Sequence, residues 1–388
     1  MSLLIVGCGP VGMTLAGLLA QQGEAVQVID KRLELSTLPR GIAVNQASLA
    51  VFDQLGIGTQ LDTLGLRVPR MNLYRRKAYF ADINFHQLDI ERPHFFHLTQ
   101  DVIERALYRR ISELGVSIRQ GLELQALQET PTGVVATCTH PDGTEEYIFA
   151  DHVIACDGGN STARRLLDIP VDQTMYAGYF VVADVSFDTL PLANDEMHCF
   201  CGVDGYLMIV PIPGGSYRVI VSFPGEDPQS GFDAAFIERI IREMTPITAN
   251  VQHLHWITHS AFGHRIASRA RVGRVFFAGD AWHQFSPIGG TNMNLGIEDA
   301  AVLARAILAR DLDAYELPRL EAVARNLAVT RYLSRLLVRS PDLATTERPF
   351  GAPSLERLLH DELPRFLTGL RTRISTAKPR TETEVATA

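Results

Sequence analysis

Apolar and polar positions change period along this chain of 388 residues, and each change marks a different kind of element. Residues 3–6 form a short apolar run, and residues 13–22 carry apolar side chains at helical spacing. Residues 25–29 then return to an apolar run that stops on Asp30. The succession predicts strand, helix, strand. Helical spacing recurs over 45–55 and 100–114, and alternation over 71–85 predicts strands. A hairpin is expected over 133–139 and 145–149 around Pro141-Asp142-Gly143. Another apolar run leads into Asp157-Gly158. From 176 to 223 the period is two throughout: YFVVADVSF, HCFCGV, YLMIVPI and YRVIVSF, separated by Pro, Gly and Asn turns.

A strand, a Gly-Asp step, a Gly/Pro/Asn-rich loop and a helix then follow in RVFFAGDAWHQFSPIGGTNMNLGIEDA, residues 274–300. This returns to the style of the first domain, so the sheet-rich stretch reads as an insertion. The expected architecture is α/β. A Rossmann-like domain over 1–170 lends 71–97 to the inserted β-sheet domain of 171–268. It resumes over 269–310, helices cover 311–374, and the polar residues 375–388 form a disordered tail. No internal repeat is present.

Composition narrows the class. With 46% hydrophobic and 21% charged residues, the chain buries a large core. Its 36 basic against 44 acidic side chains, net −8, form no basic stripe, which argues against nucleic acid as a partner. No apolar run reaches membrane-spanning length, and the apolar N-terminus continues straight into the β-α-β unit rather than a cleavage site. A cytoplasmic setting is expected. The five cysteines are scattered and odd in number, unlike a disulfide framework.

Chemistry enters with the spacing of glycines. Gly7-x-Gly9-x-x-Gly12 lies between the first strand and helix. In that context Gly7 makes the tight turn, Gly9 lets backbone approach a pyrophosphate, and Gly12 permits close helix packing. Asp30 stands where an acid bonds a ribose. The motif specifies an adenine dinucleotide without separating FAD from NAD.

Together with Asp157-Gly158, Ser161 and Arg164, and with Gly279-Asp280, this fingerprint resembles that of the group A flavoprotein monooxygenases, the para-hydroxybenzoate hydroxylase fold. The resemblance runs to about Arg331 and includes Pro39-Arg40, the helix start at Gln100 and the loop 287–294. It implies a glutathione-reductase-type FAD domain. Gly7, Gly9 and Gly12 would hold the pyrophosphate, Asp30 with its neighbours Lys31 and Arg32 the adenosine side, and Arg40 and Gln100 the pyrophosphate and ribityl side. Asp157 and Gly158 would serve FAD and the passage of nicotinamide, and Asp280 a ribityl oxygen. Pro287, Gly290, Asn292, Met293 and Asn294 would lie along the isoalloxazine. The family has a further small glycine step where this chain has Thr291-Asn292, which places flavin mobility and the oxygen pocket in question. No additional C-terminal domain of the kind some members carry is expected.

The implied reaction is that of an NAD(P)H:O2 monooxygenase. NADPH or NADH visits, reduces FAD and leaves, O2 is captured as a C4a-hydroperoxyflavin, and one oxygen atom passes to an apolar or aromatic, phenolic or natural-product-like small molecule. Epoxidation and Baeyer-Villiger insertion stay open beside hydroxylation. So do an FAD-dependent reductase or dehydrogenase and a non-redox FAD-binding protein. Candidates for a base are His283, beside the Gly-Asp step, and Tyr206 and His198 on the inserted sheet. His253 and His255 share a strand face without a carboxylate or cysteine to complete a site, so no metal is expected. Trp282 either packs near the ring system or fills the domain interface. Oligomeric state is not legible.

Overall fold

The computed structural model describes residues 1–202, 205–223, 231–338, 349–350 and 353–370; the expected tail lies outside them. At its centre is a six-stranded sheet in the order Arg271–Val272, Val275–Phe277, His152–Ala155, Ser2–Val6, Ala25–Asp30, Ser117–Gln120. All neighbouring pairs are parallel except the first, which is antiparallel. Ser2–Val6 is central, which explains its unbroken apolar sequence: both faces are covered. Helix Pro10–Ala20 packs on it together with helices Gln100–Glu113 and Asn292–Leu308. Gly12 permits that contact, because a Cβ there would stand 2.1 Å from the Gly7 carbonyl oxygen.

The second sheet has eight strands, in the order His283–Gln284, Asn250–Ala267, Val171–Thr189, Ser216–Phe223, Tyr206–Ile212, Met197–Cys201, Arg70–Arg75, Ala78–Asn84. Strands Arg70–Arg75 and Ala78–Asn84 thus join the inserted domain. Phe95–His97 does not: it pairs with Ala43–Val44 and Leu66–Val68 in a small separate sheet. The return segment also departs from the expected boundary, since His283–Gln284 adds to the edge of the eight-stranded sheet. That pairing gives the backbone of a buried segment its hydrogen-bond partners.

Period-two alternation gives this sheet two different faces. One, with Phe200, Leu207, Ile209 and Val219, is covered by helix Ala234–Met244 through Ile237 and Ile241. The other, with Met197, Cys199, Tyr206 and Val210, faces Phe85, Phe95 and the C-terminal helical residues Leu333, Leu359 and Leu363. Trp282 is fully buried in the core of the first domain, its indole Nε1 donating to the Ala267 carbonyl at 3.2 Å.

Two side chains tie the domains across their junction. Arg218 pairs with Asp184, directly opposite on the neighbouring strand, at 2.7 and 2.8 Å. Its remaining N–H groups donate to the Pro39 and Arg40 carbonyls. His97 Nδ1 donates to the Pro211 carbonyl at 2.8 Å, and burial pushes this imidazole down to about 4.

The His97 shift has a definite sign. Between pH 6.5 and about 4 the unfolded chain protonates this histidine while the folded one does not, so stability falls as pH falls through that window. The loss from this residue reaches about 3 kcal/mol. Urea unfolding of wild type and His97→Gln across the window is expected to show a shallower acid slope in the variant; equal slopes would refute the assignment.

Candidate active site

The parallel sheet delivers its strand ends to one cleft. Strand Ser2–Val6 ends at Gly7, whose φ of 111° only glycine adopts readily, and a Cβ there would collide with the Cys156 carbonyl oxygen at 2.3 Å. Gly9 is the N-cap of helix Pro10–Ala20 and has no side-chain cap. A Cβ on Gly9 would meet nothing within 4 Å. The helix therefore opens toward empty space with free N–H groups, as an anion site requires.

Asp30 follows at the end of the second strand. Its carboxylate accepts from the Cys8 amide at 2.7 Å and from Arg32 through the backbone at 2.8 Å and the guanidinium at 2.9–3.0 Å. Burial alone would raise its pKa, but these donors hold it below the ordinary carboxylate value. Lys31, Arg32 and Arg40 line the same end of the cleft. So do Gln100, whose Nε2 donates to Glu104 at 2.8 Å, and Gly41, whose amide donates to Gln100 at 3.3 Å.

Asp157 uses one carboxylate oxygen to cap the short helix Thr162–Leu166, accepting from the Thr162 and Ala163 amides at 2.7 and 3.1 Å. The other oxygen is buried without a partner, and Asp157 and Gly158 both line the cleft. Arg164 joins this turn to the late motif, donating to the Gly159 and Ala281 carbonyls at 2.6 and 2.8 Å.

The Gly279-Asp280 step is held from behind. Asp299, fully buried on helix Asn292–Leu308, accepts from the Gly279 amide at 3.0 Å, His283 Nε2 at 2.6 Å and Arg319 Nε at 2.6 Å. Burial works to raise the Asp299 pKa; Arg319 and His283 hold it low. Asp280 itself faces the cleft, and burial pushes its carboxyl up.

The loop after it forms its turn with Thr291-Asn292 in place. Gly289 and Gly290 take φ of 94° and 63°, while Thr291 has an ordinary φ of −94°, so no third glycine is required. The Asn292 amide bonds the Phe285 backbone in both directions at 2.9 Å, fastening the loop. Asn292, Met293 and Pro287 line the cleft. Asn294 does not: it is buried, accepting from the Asn45 amide and Ser48 hydroxyl and donating to the Ala43 and Gly290 carbonyls, and so positions the loop.

From these motifs the cleft continues, as one cavity of about 1090 Å³, into an apolar chamber walled by Met71, Leu73, Met197, Cys199, Met208 and Val210. Leucines 333, 336 and 337 and residues of the last helices complete it.

Of the three candidate bases, only Tyr206 lines this chamber. Burial holds its phenol well above the usual value, which favours the protonated form. His198 falls on the covered face of its strand, beside Tyr74 at 3.2 Å, because it alternates with Met197 and Cys199. His283 is fully buried against Asp299. Neither imidazole reaches the cavity, and both are corrected to structural positions.

Sequence reasoning missed Arg218 and Glu104. Arg218 lines the cleft while anchoring Pro39 and Arg40; its signal was a charge inside the alternating run YRVIVSF, matched by Asp184 in YFVVADVSF. Glu104 is 1% exposed, with Oε2 unpartnered and its carboxyl raised by burial. One turn after Gln100, it shares that residue's helix face.

A family model described as FAD binding domain matches residues 1–320. The chain belongs to that family. It is 29% identical, over 95% of its length and 75% of the relative's, to the 12-dehydrotetracycline 5-monooxygenase/anhydrotetracycline 6-monooxygenase of Streptomyces rimosus. It is 30% identical, over 91% of its length and 65% of the relative's, to the 6-methylpretetramide 4-monooxygenase of Streptomyces rimosus. Among solved structures, the anhydrotetracycline hydroxylase OxyS from Streptomyces rimosus superposes with a TM-score of 0.76 at 26% identity, covering 97% of this chain and 77% of that one. Across eight such curated relatives the chain spans between 51% and 78% of the relative's length.

FAD fits the residues present. The uncapped helix at Gly9, the open space above Gly9 and Gly158, and the unpartnered buried oxygens of Asp157 and Glu104 provide a cradle whose polar atoms lack partners within the described protein.

Gly9 separates cofactor space from fold. Gly9→Ala is expected to destabilise the FAD-free protein by no more than about 1 kcal/mol, the cost of a poorer N-cap, and to weaken FAD binding by about 1–3 kcal/mol, read by flavin fluorescence titration. Unchanged affinity would mean that the cofactor lies elsewhere.

Proposed function

We propose that this protein is an FAD-dependent, NAD(P)H-consuming monooxygenase that places one oxygen atom on an aromatic, polyketide-like small molecule. The observation that carries this reading is the continuity of the cleft: dinucleotide motifs and an apolar chamber open into one another with no wall between them. Bound FAD supplies hydride acceptance from the nicotinamide and activation of O2.

The chain's own residues supply the setting. Gly9 and the helix behind it receive the pyrophosphate, while Asp30 and Glu104 offer acceptors to the adenosine and ribityl side. The N-terminus of helix Asn292–Leu308, with Thr291, Asn292 and Met293 at the cleft, presents backbone N–H groups and the positive end of a 17-residue helix, which would stabilise negative charge on a reduced flavin held there. The chamber walls exclude water from the reacting centre. Tyr206 offers a bound substrate a hydrogen-bond donor, because burial favours its protonated phenol.

The apolar walls of the chamber, together with the tetracycline-type substrates in the names of the relatives, favour a fused-ring aromatic over a single small phenol. All five cysteines are free, which supports a cytoplasmic setting, and no helix among the described residues is long and apolar enough to cross a membrane.

Anaerobic reduction by NADH and by NADPH, followed across fused-ring phenolic polyketides and simple hydroxyphenyl acids, tests the reading. The expected result is that one polyketide class strongly accelerates flavin reduction and, on admission of labelled O2, is recovered with one labelled oxygen atom. Reoxidation that yields only hydrogen peroxide with every compound would reject it.

A further inference from the structure

Cys199 and Cys201 lie two residues apart on strand Met197–Cys201, so their side chains share the face that bounds the chamber. Their Sγ atoms are 4.0 Å apart, and both thiols are free. Cys199 is 3% exposed, whereas Cys201 is only partly covered. A small oxidant in the chamber therefore meets Cys201 first. Arg75 stands opposite Cys201 in the register of the adjoining strand and lines the same cavity.

The two thiols differ in acidity. The hydrogen bond from Cys199, and then the Arg75 guanidinium, hold the Cys201 thiol below its usual pKa against the effect of burial, while the same contact and burial push Cys199 up. Burial pushes Cys8 up to about 12, Cys138 up to about 11, and Cys156 up as well. An acidic, accessible thiol beside a buried one is the arrangement of an attacking and a resolving cysteine.

We propose that Cys201 and Cys199 are a peroxide-sensitive dithiol in the wall of the substrate chamber, oxidised reversibly to a disulfide by hydrogen peroxide. The proposal rests on the monooxygenase reading only for the source of the oxidant, since turnover that fails to deliver oxygen releases peroxide beside this wall. The Cys201 thiolate attacks one peroxide oxygen, the O–O bond breaks, and the departing hydroxide takes a proton and leaves as water. Cys201 is then a sulfenic acid. The Cys199 sulfur displaces the hydroxyl from Cys201, its thiol proton completes a second water, and the S–S bond forms. Two thiols have lost two electrons and two protons, and one peroxide has become two waters. Residues i and i+2 of a strand have Cα atoms about 6.6 Å apart, near the long end of what a disulfide spans, so the bond is readily reduced again.

The test uses the full-length, FAD-loaded protein, dilute hydrogen peroxide, alkylation of the remaining thiols and peptide mass spectrometry. The expected result is that Cys199 and Cys201 escape alkylation together, in a peptide lighter by two hydrogens, well before Cys8, Cys138 or Cys156 change, and that dithiothreitol restores both. In Cys199→Ser, oxidation is expected to stop at a sulfenic acid that dimedone traps on Cys201. In Arg75→Met, oxidation of Cys201 is expected to slow several-fold with no change in the unfolding midpoint. Cys201 reacting no faster than the three buried cysteines, or passing to higher oxides in wild type without a disulfide, would overturn the proposal. Because the peroxide is added, a protein with no monooxygenase activity still gives either result.

Discussion

The Arg218 guanidinium, held between Asp184 and the carbonyls of Pro39 and Arg40, is the contact on which the shape of the cleft depends. Burying two charges costs several kcal/mol each before their attraction returns anything. Such a pair persists where it specifies an arrangement more than where it adds stability. Here it does so on three sides: Asp184 fixes the guanidinium on the sheet, Trp256 covers it with its ring 5.3 Å away, and the remaining donors reach the loop of the other domain. That loop leads into Gly41, whose amide bonds Gln100, and so into the helix bearing Glu104. A single side chain of the inserted domain thereby sets one wall of the cofactor end.

The opposite wall has its own fixed point in Asp299. One carboxylate receives the Gly279 amide, His283 and Arg319, so the turn presenting Asp280 is braced by the helix whose N-terminus faces the cleft. His283 and Arg319 thus act as framework around a charged residue that does not line the cleft. Between the two walls the cleft changes character, from carboxylates, guanidinium groups and free helix amides at one end to methionine, leucine, valine and thiol at the other. On the proposed reading, hydride and oxygen chemistry belongs at that boundary, where charge is stabilised on one side and water is kept out on the other.

What was legible in the sequence was local. Gly7-x-Gly9-x-x-Gly12, Asp30 and Gly279-Asp280 are each local in the chain because each performs one turn or one strand end, and the structure sets Gly7, Gly9, Asp30 and Asp280 around one cavity. Arg218 and Glu104 were hidden because their meaning depends on partners from other elements. The candidate bases misled for a related reason. His198 was selected by residue type, yet strand parity already placed it on the face opposite Cys199, and Cys199 on the side of Met197 and Cys201. Trp282 and His283, adjacent to a cofactor motif, were drawn into the core by a second layer of contacts that no spacing encodes. The roof of the chamber, from leucines 333, 336 and 337 and the last helices, read only as helical periodicity.

A crystal structure of the protein with FAD bound tests the central claim, that cofactor and substrate share this one cleft, most directly. The account expects the pyrophosphate at Gly7 and Gly9, the isoalloxazine pyrimidine edge at the N-terminus of helix Asn292–Leu308, and the ring bordering the chamber of Met197, Tyr206 and Met208. A flavin ring lying outside that boundary, with the apolar chamber closed off from it by protein, would contradict the account.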